Sequence, residues 1–313
     1  MVKEAFVING FYMSMREKFT KADAKIHYYV VEWDGDKVSW EDFRGKVLGA
    51  TDPETAEVGS VRRMILDKWQ ELGLTSCPNV GDNGVHASAS PFEALSERMN
   101  WLGAKLEEDS FGKQMLAAGI PAETIMAWTK DPQIELSGSK QSCFDSMEDT
   151  NSSDCLAICQ KIAKVEEKKT SGNTNTAFVF IKPHACVSDK VAPAVTEAFK
   201  AQGITILTEG DIDGPTIEKD LLIDNHYYAI ANKASLTKPA DLNPPQKGQD
   251  EFKAKFGLSW PDALAQGLVY NAVDGCKFFG IDGDQMDAAW AKTKKAGLLV
   301  KFGGGFYAGN VSK

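Results

Sequence analysis

The sequence predicts an α/β protein of small-sandwich type, and three observations point there. Residues 26–33, IHYYVVEW, are dense in β-branched and aromatic side chains and predict a strand. Residues 176–182, TAFVFIK, form the clearest strand pattern in the chain; an amphipathic helix over 189–202 and a second strand, GITILTEGDI, follow. Strand–helix–strand units number only two or three, too few for a doubly wound parallel sheet.

The remaining elements follow in order. DGDK forms a turn after the first strand, and WEDFRGKVLG has helical spacing that stops at Gly49. Residues 58–72 predict a helix ended by Gly73, and a polar, glycine-bearing loop spans 78–89. Ser90-Pro91-Phe92-Glu93 is a capping box with proline at the first helical position, so a helix starts at Ser90. Its apolar positions are Phe92, Leu95, Met99 and Trp101 or Leu102. Residues 106–175 read as a connecting module. They hold two short helices in FGKQMLAAGIPAETIMAW, a polar stretch SGSKQSCFDSMEDTNSSDC, a helix in CLAICQKIAKVEEKK and a loop TSGNTN. After the second strand pair, PTIEKDLLIDNHYYAIANKA predicts a helix or helix pair. A linker-like TKPADLNPPQKGQ follows, then helices near 259–275 and 283–296 and a glycine-rich turn, KFGGGFYAG.

Bulk composition narrows the function. The 313 residues suit one large domain or two ordinary ones, and 43% hydrophobic content is enough for a sizeable core. A net charge of -9 and a pI near 5.1 argue against broad affinity for nucleic acid or an anionic membrane, though not against a local basic pocket. The first residues lack the pattern of a secretory signal, and no apolar run approaches membrane-spanning length. The six cysteines (Cys77, Cys143, Cys155, Cys159, Cys186, Cys276) lack metal-site spacing and read as reduced thiols of a cytoplasmic protein. Asp282, Asp284 and Asp287 lack the ligand ladder of a calcium loop, and KFGGGF lacks the ending of a P-loop.

Chemistry concentrates at His86. His27 in a strand and His226 in a helix read as structural. His86 instead sits in a glycine-flanked loop before a capped helix N-terminus, where backbone N–H groups and the helix dipole favour anions. A histidine with one ring nitrogen free attacks phosphorus when another group holds the opposite nitrogen. Glu97, one turn beyond Glu93, is in range to orient the ring.

The segment Asn83-Gly84-Val85-His86-Ala87-Ser88, with Glu97 eleven residues after the histidine, resembles the phosphohistidine loop of nucleoside diphosphate kinases. Leu48-Gly49-Ala50-Thr51-Asp52-Pro53, with Arg62 eleven residues after Thr51, resembles that family's upstream run. Ile181-Lys182-Pro183 resembles its lysine-bearing strand end, and His226-Tyr227 its histidine–tyrosine pair. Residues 6–35 resemble the stretch that normally follows that pair. The two halves come in swapped order, as in a circular permutation cut between Tyr227 and Phe11. About half the chain is covered.

The resemblance implies a ferredoxin-like βαββαβ sandwich, circularly permuted, with an antiparallel sheet and helical insertions. The domains would be 1–105 (C-terminal half of the kinase-like domain), 106–175 (connecting module), 176–239 (N-terminal half) and 240–313 (extension). It implies ping-pong transfer of a γ-phosphoryl from a nucleoside triphosphate to a diphosphate through His86, with Mg2+ bridging phosphates. Glu97 would orient the histidine and Ser88 would support Glu97. Lys182, Arg62, Thr51, Asn83, Arg44 and Val80 would line the phosphate and sugar, with Phe11 and Tyr227 at the base. The family's enzymes assemble from dimers, which allows a homo-oligomer.

The pattern also departs from the family. Ala87 and Ala89 replace a glycine and an aspartate, and His184-Ala185 replace aspartate–glycine. Arg44 lies one residue off its expected place, the family's pocket phenylalanine falls on Val7 or Ile8, and about eleven extra residues separate Arg62 from His86. These departures motivate an alternative. The chain would then be a kinase-like module kept for structure or nucleotide sensing, for instance with cytoskeletal or ciliary partners, as kinase-like domains in flagellar proteins suggest.

Overall fold

A computed structural model describes residues 4–136, 138–166, 172–303 and 305–312. It is a mixed α/β protein with ten strands among those residues: β1 (Glu4–Ile8), β2 (Lys25–Asp34), β3 (Val85–Ala87), β4 (Gln133–Leu136), β5 (Ser139–Ser142), β6 (Thr174–Ile181), β7 (Thr205–Asp213), β8 (Val269–Asn271), β9 (Leu299–Gly303) and β10 (Phe306–Ser312). The chain divides into two compact units, residues 22–214 and residues 1–21 with 215–313. Among the described residues no helix is long and apolar enough to cross a membrane.

Residues 22–214 are built on a sheet of order β3-β6-β2-β7 in which every neighbouring pair is antiparallel. β6 and β7 flank β2, so the helix Val191–Ala201 that joins them crosses over an intervening strand. β2 and β3 flank β6 in the same way. Alternation along β6 sorts its side chains between two faces. Ala177, Val179 and Ile181 join Tyr29, Val31, Trp33, Phe43 and Val195 in one core. Phe178 and Phe180 lie on the other face, where Trp101 of the helix Pro91–Leu102 packs 6.3 and 5.3 Å from them between ring centroids. Trp33 stacks on Phe43 at 4.3 Å, which ties β2 to the helical turns that follow it.

Several expectations shift by a few residues for visible reasons. The helix expected over 58–72 runs only Val61–Asp67, because Ser60 caps it through the Arg63 N–H and Lys68 leaves helical geometry. Residues 43–48 of the helix ending at Gly49 are π-helical. The Ser90 hydroxyl caps the helix Pro91–Leu102, but Glu93 takes the N–H of Ala89, not that of Ser90. Within 106–175 the helices Ser110–Ala117, Ala122–Trp128 and Ser152–Ala163 enclose a second core. Strands β4 and β5 pair antiparallel, where the sequence predicted no strand and 137–155 read as a polar stretch, of which residue 137 lies outside the described residues. The helix expected in 155–169 is described to 166 and ends at Ala163, and residues 170 and 171 of the expected loop lie outside the described residues.

The other unit carries a sheet of order β8-β1-β10-β9, with β1 parallel to β8 and antiparallel to β10. Ala5 and Val7 of β1 face one core with Met286 and Trp290; Phe6 and Ile8 face another with Phe252 and Trp260. β1 is apolar on both faces, so it shows no alternation in the sequence and was not expected as a strand. The glycine-rich end expected as a turn is the β9–β10 hairpin, with residue 304 outside the described residues. Asp282 caps the helix Gly283–Lys295.

This unit has an ionic centre. Asp224, fully buried, accepts from Arg16 Nε at 3.0 and 3.1 Å, from Tyr12 Oη at 3.1 Å and from Ser235 Oγ at 2.6 Å. Truncating one partner of such a pair strands the other charge in the core, at a cost of roughly 3–5 kcal/mol. Asp224→Ala should therefore lower the chemical-denaturation midpoint of this unit by a stability loss of that size. A change under about 1 kcal/mol would show that the pair is not part of the folded core.

Candidate functional site

The site grows from the join between β3 and the helix Pro91–Leu102. His86 sits on β3 opposite Phe180 of β6, and its ring stacks on that phenylalanine at 4.7 Å and 28°. It is thus on a short strand, not in a free loop as expected. Two residues on, Ser88 is fixed by backbone: its N–H donates to the Phe178 carbonyl and its Oγ accepts from the Phe178 N–H. The Trp40 indole donates to the Ser88 carbonyl at 3.2 Å.

The helix then returns Glu97 to this point. Glu97, 5% exposed, lies 2.6 Å from His86 Nε2 through Oε1 and accepts the Ser88 hydroxyl through Oε2 at 2.5 Å. An ionised Glu97 accepts only, and in that state the ring proton is on Nε2. Burial pushes the His86 pKa well below its ordinary value, and the charges of Lys182, Arg62 and Arg44 push in the same direction. The ring is therefore neutral at pH 7 and faces a cationic field. Glu93, one turn before Glu97, accepts from the Ala89 N–H at 3.2 Å. Burial and then the neighbouring Glu97 raise its pKa far above the carboxylate range.

The cations differ in their commitments. Arg62 donates to the carbonyls of Gly49 (2.6 Å) and Val85 (3.0 and 3.3 Å). Burial, with Arg44 nearby, pulls its pKa down to about 10, and no carboxylate pairs with it among the described residues. Lys182 Nζ donates to the Gly81 carbonyl at 3.1 Å. Arg44 is committed to Glu148 at 2.8 Å and Asp149 at 2.5 Å, both from the connecting module.

Asn83 is 2% exposed. Its Nδ2 donates to the Thr51 carbonyl at 2.9 Å, while its Oδ1 is buried with no hydrogen-bond partner. Thr51 itself is exposed, and Val80 is 55% exposed on a turn closed by Asn79. His86, Ser88, Glu97, Lys182, Arg62, Arg44, Asn83, Thr51 and Val80 all belong to residues 22–214. Phe11 and Tyr227 belong to the other unit, where both pack on the core around Tyr12 and Trp290.

Sequence reasoning missed Trp40, Phe180, His184, Glu148 and Asp149 at this site. Only Phe180 had a visible signal, as an alternate position of the clearest strand. No family model, curated protein or solved structure matches the chain.

The depressed His86 pKa sets a pH dependence. The unfolded histidine takes up a proton near pH 6.5, above the folded value, so folding stability is present above that pH and is lost as pH falls through it. Relative to His86→Gln, the wild-type protein should lose about 1 kcal/mol over the pH unit below 6.5. Parallel pH–stability profiles for the two proteins would contradict the assignment of a buried neutral ring.

Proposed function

We propose that this chain is a nucleoside diphosphate kinase-like phosphotransferase that works through phospho-His86. The observation that carries the reading is the neutral His86 ring, held at Nε2 by Glu97 and facing the charges of Lys182, Arg62 and Arg44. A histidine nucleophile needs one nitrogen free and the other held by a base, and transferring a phosphoryl group needs fixed positive charge around it. The orphaned Asn83 Oδ1 supports the same reading, since a buried acceptor without a partner costs about 1–3 kcal/mol that a ligand hydroxyl would relieve.

The sheet also supports it. In the order β6, β7, β2, β3, the strand order β3-β6-β2-β7 is 4-1-3-2, with a helix between β6 and β7 and another between β2 and β3. A permuted ferredoxin-like βαββαβ sandwich would have this strand order and these crossovers, which supports the reading.

In the forward step the Nδ1 lone pair of His86 attacks the γ-phosphorus of a nucleoside triphosphate. An N–P bond forms, the bond from phosphorus to the bridging oxygen breaks, and that electron pair leaves on the nucleoside diphosphate. The ring becomes cationic, and Glu97 stabilises it through the Nε2–H hydrogen bond. A terminal oxygen of another diphosphate then attacks the phosphorus, the N–P bond breaks, and the neutral ring is restored. Arg62 and Lys182 stabilise the moving phosphoryl, and Ser88 keeps Glu97 in place.

Magnesium requires oxygen ligands. Glu97 already accepts from Ser88 and contacts His86, and Glu93 is held toward its neutral form, which disfavours a resident magnesium on these two carboxylates. In this reading Mg2+ would enter with the phosphates of the nucleotide, as part of the substrate.

One observation favours the alternative of a nucleotide-sensing or structural module. Glu148 and Asp149 already neutralise Arg44, which reduces the charge available for transfer.

Incubation with γ-labelled ATP should give an acid-labile, alkali-stable phosphoprotein, and His86→Ala should abolish it. Glu97→Gln should slow labelling on the order of 10²-fold by releasing the ring from its attack geometry. No label on the wild type, or equal label on His86→Ala, would refute transfer through His86 and leave the sensing module.

A further inference from the structure

The turn after β6 does more than carry Lys182. Gly84, two residues before His86, is gripped on both sides by this turn. Its carbonyl accepts the Lys182 N–H at 2.8 Å, and its own N–H donates to His184 Nε2 at 2.9 Å. Gly84 has a φ of +91°, and a Cβ there would lie 2.7 Å from Ile65 Cδ1, so the backbone comes close in a conformation suited to glycine. A buried N–H in such a turn needs an acceptor. The imidazole supplies one only while Nε2 carries no proton, which fixes the proton on Nδ1.

We propose that His184 is a positioning residue for the site, resting on the phosphotransferase reading above. It locks Gly84 to the turn that bears Lys182, so the phosphate-facing lysine and the nucleophilic histidine are held as one rigid piece. The Lys182 Nζ–Gly81 carbonyl bond closes the same piece from the other end. Register along β3 follows, since Val85 pairs with Ile181 directly beside this lock. His184 Nε2 holds the Gly84 backbone, not a reacting atom. It sets the distance between the groups that do.

The test uses the full chain with His184→Ala and His184→Asn, the asparagine oxygen being able to accept the same N–H. In the wild type, NMR should detect a coupling through the hydrogen bond between the Gly84 nitrogen and His184 Nε2. Its absence overturns the proposal whatever the variants do. In His184→Ala, Gly84 amide exchange should accelerate at least tenfold while Val179 and Val31 stay protected. Phosphohistidine formation at saturating ATP should fall on the order of 10²-fold with half-saturation unchanged. His184→Asn should recover most of both effects. Unchanged Gly84 exchange, or a loss of rate that asparagine does not rescue, overturns the positioning role. If the wild type takes no label while Gly84 behaves as expected, the lock stands and the phosphotransferase reading falls.

Discussion

The 2.6 Å contact between His86 Nε2 and Glu97 Oε1 is the interaction on which the site depends. Its geometry needs three separate structural facts. β3 must pair with β6 in the register that puts His86 on Phe180. Ser90 must start the helix where it does, so that Glu97 comes back over the strand. Ser88 must be pinned by Phe178 and Trp40 so that its hydroxyl holds the second carboxylate oxygen. A one-residue slip of β3 would turn the histidine to the opposite face and break its contact with Glu97.

Electrostatics around this contact pull in two directions. Burial and the cations favour a neutral ring, while under the proposed phosphotransfer the carboxylate would favour a charged one. The cations are unequal. Arg62 donates to the carbonyls of Gly49 and Val85 and has no carboxylate pair among the described residues, whereas Arg44 is paired with an acidic turn of the connecting module. The module from 106 to 175 is thus joined electrostatically to the site and is more than a tether.

Much of this was legible in the sequence where local rules decide. The capped helix at Ser90, the strands IHYYVVEW and TAFVFIK, and the spacing of His86 to Glu97 all report short-range constraints. What stayed hidden depends on pairing at long range. β1 is buried on both faces and carries no alternation. The pairing of Arg44 with Glu148 and Asp149 joins positions more than a hundred residues apart. His184 gave no sign of its role, because a histidine after Lys182-Pro183 becomes an acceptor only when β3 lies beside β6. Phe11 and Tyr227, which the resemblance implied at the base, belong to residues 1–21 and 215–313.

The most direct measurement is the ring position of the phosphoryl group in the labelled protein, read by phosphorus NMR of the intact phosphoenzyme. With Glu97 holding Nε2, the phosphorus must be on Nδ1 of His86. Phosphorus on Nε2, or on any residue other than His86, would contradict the account.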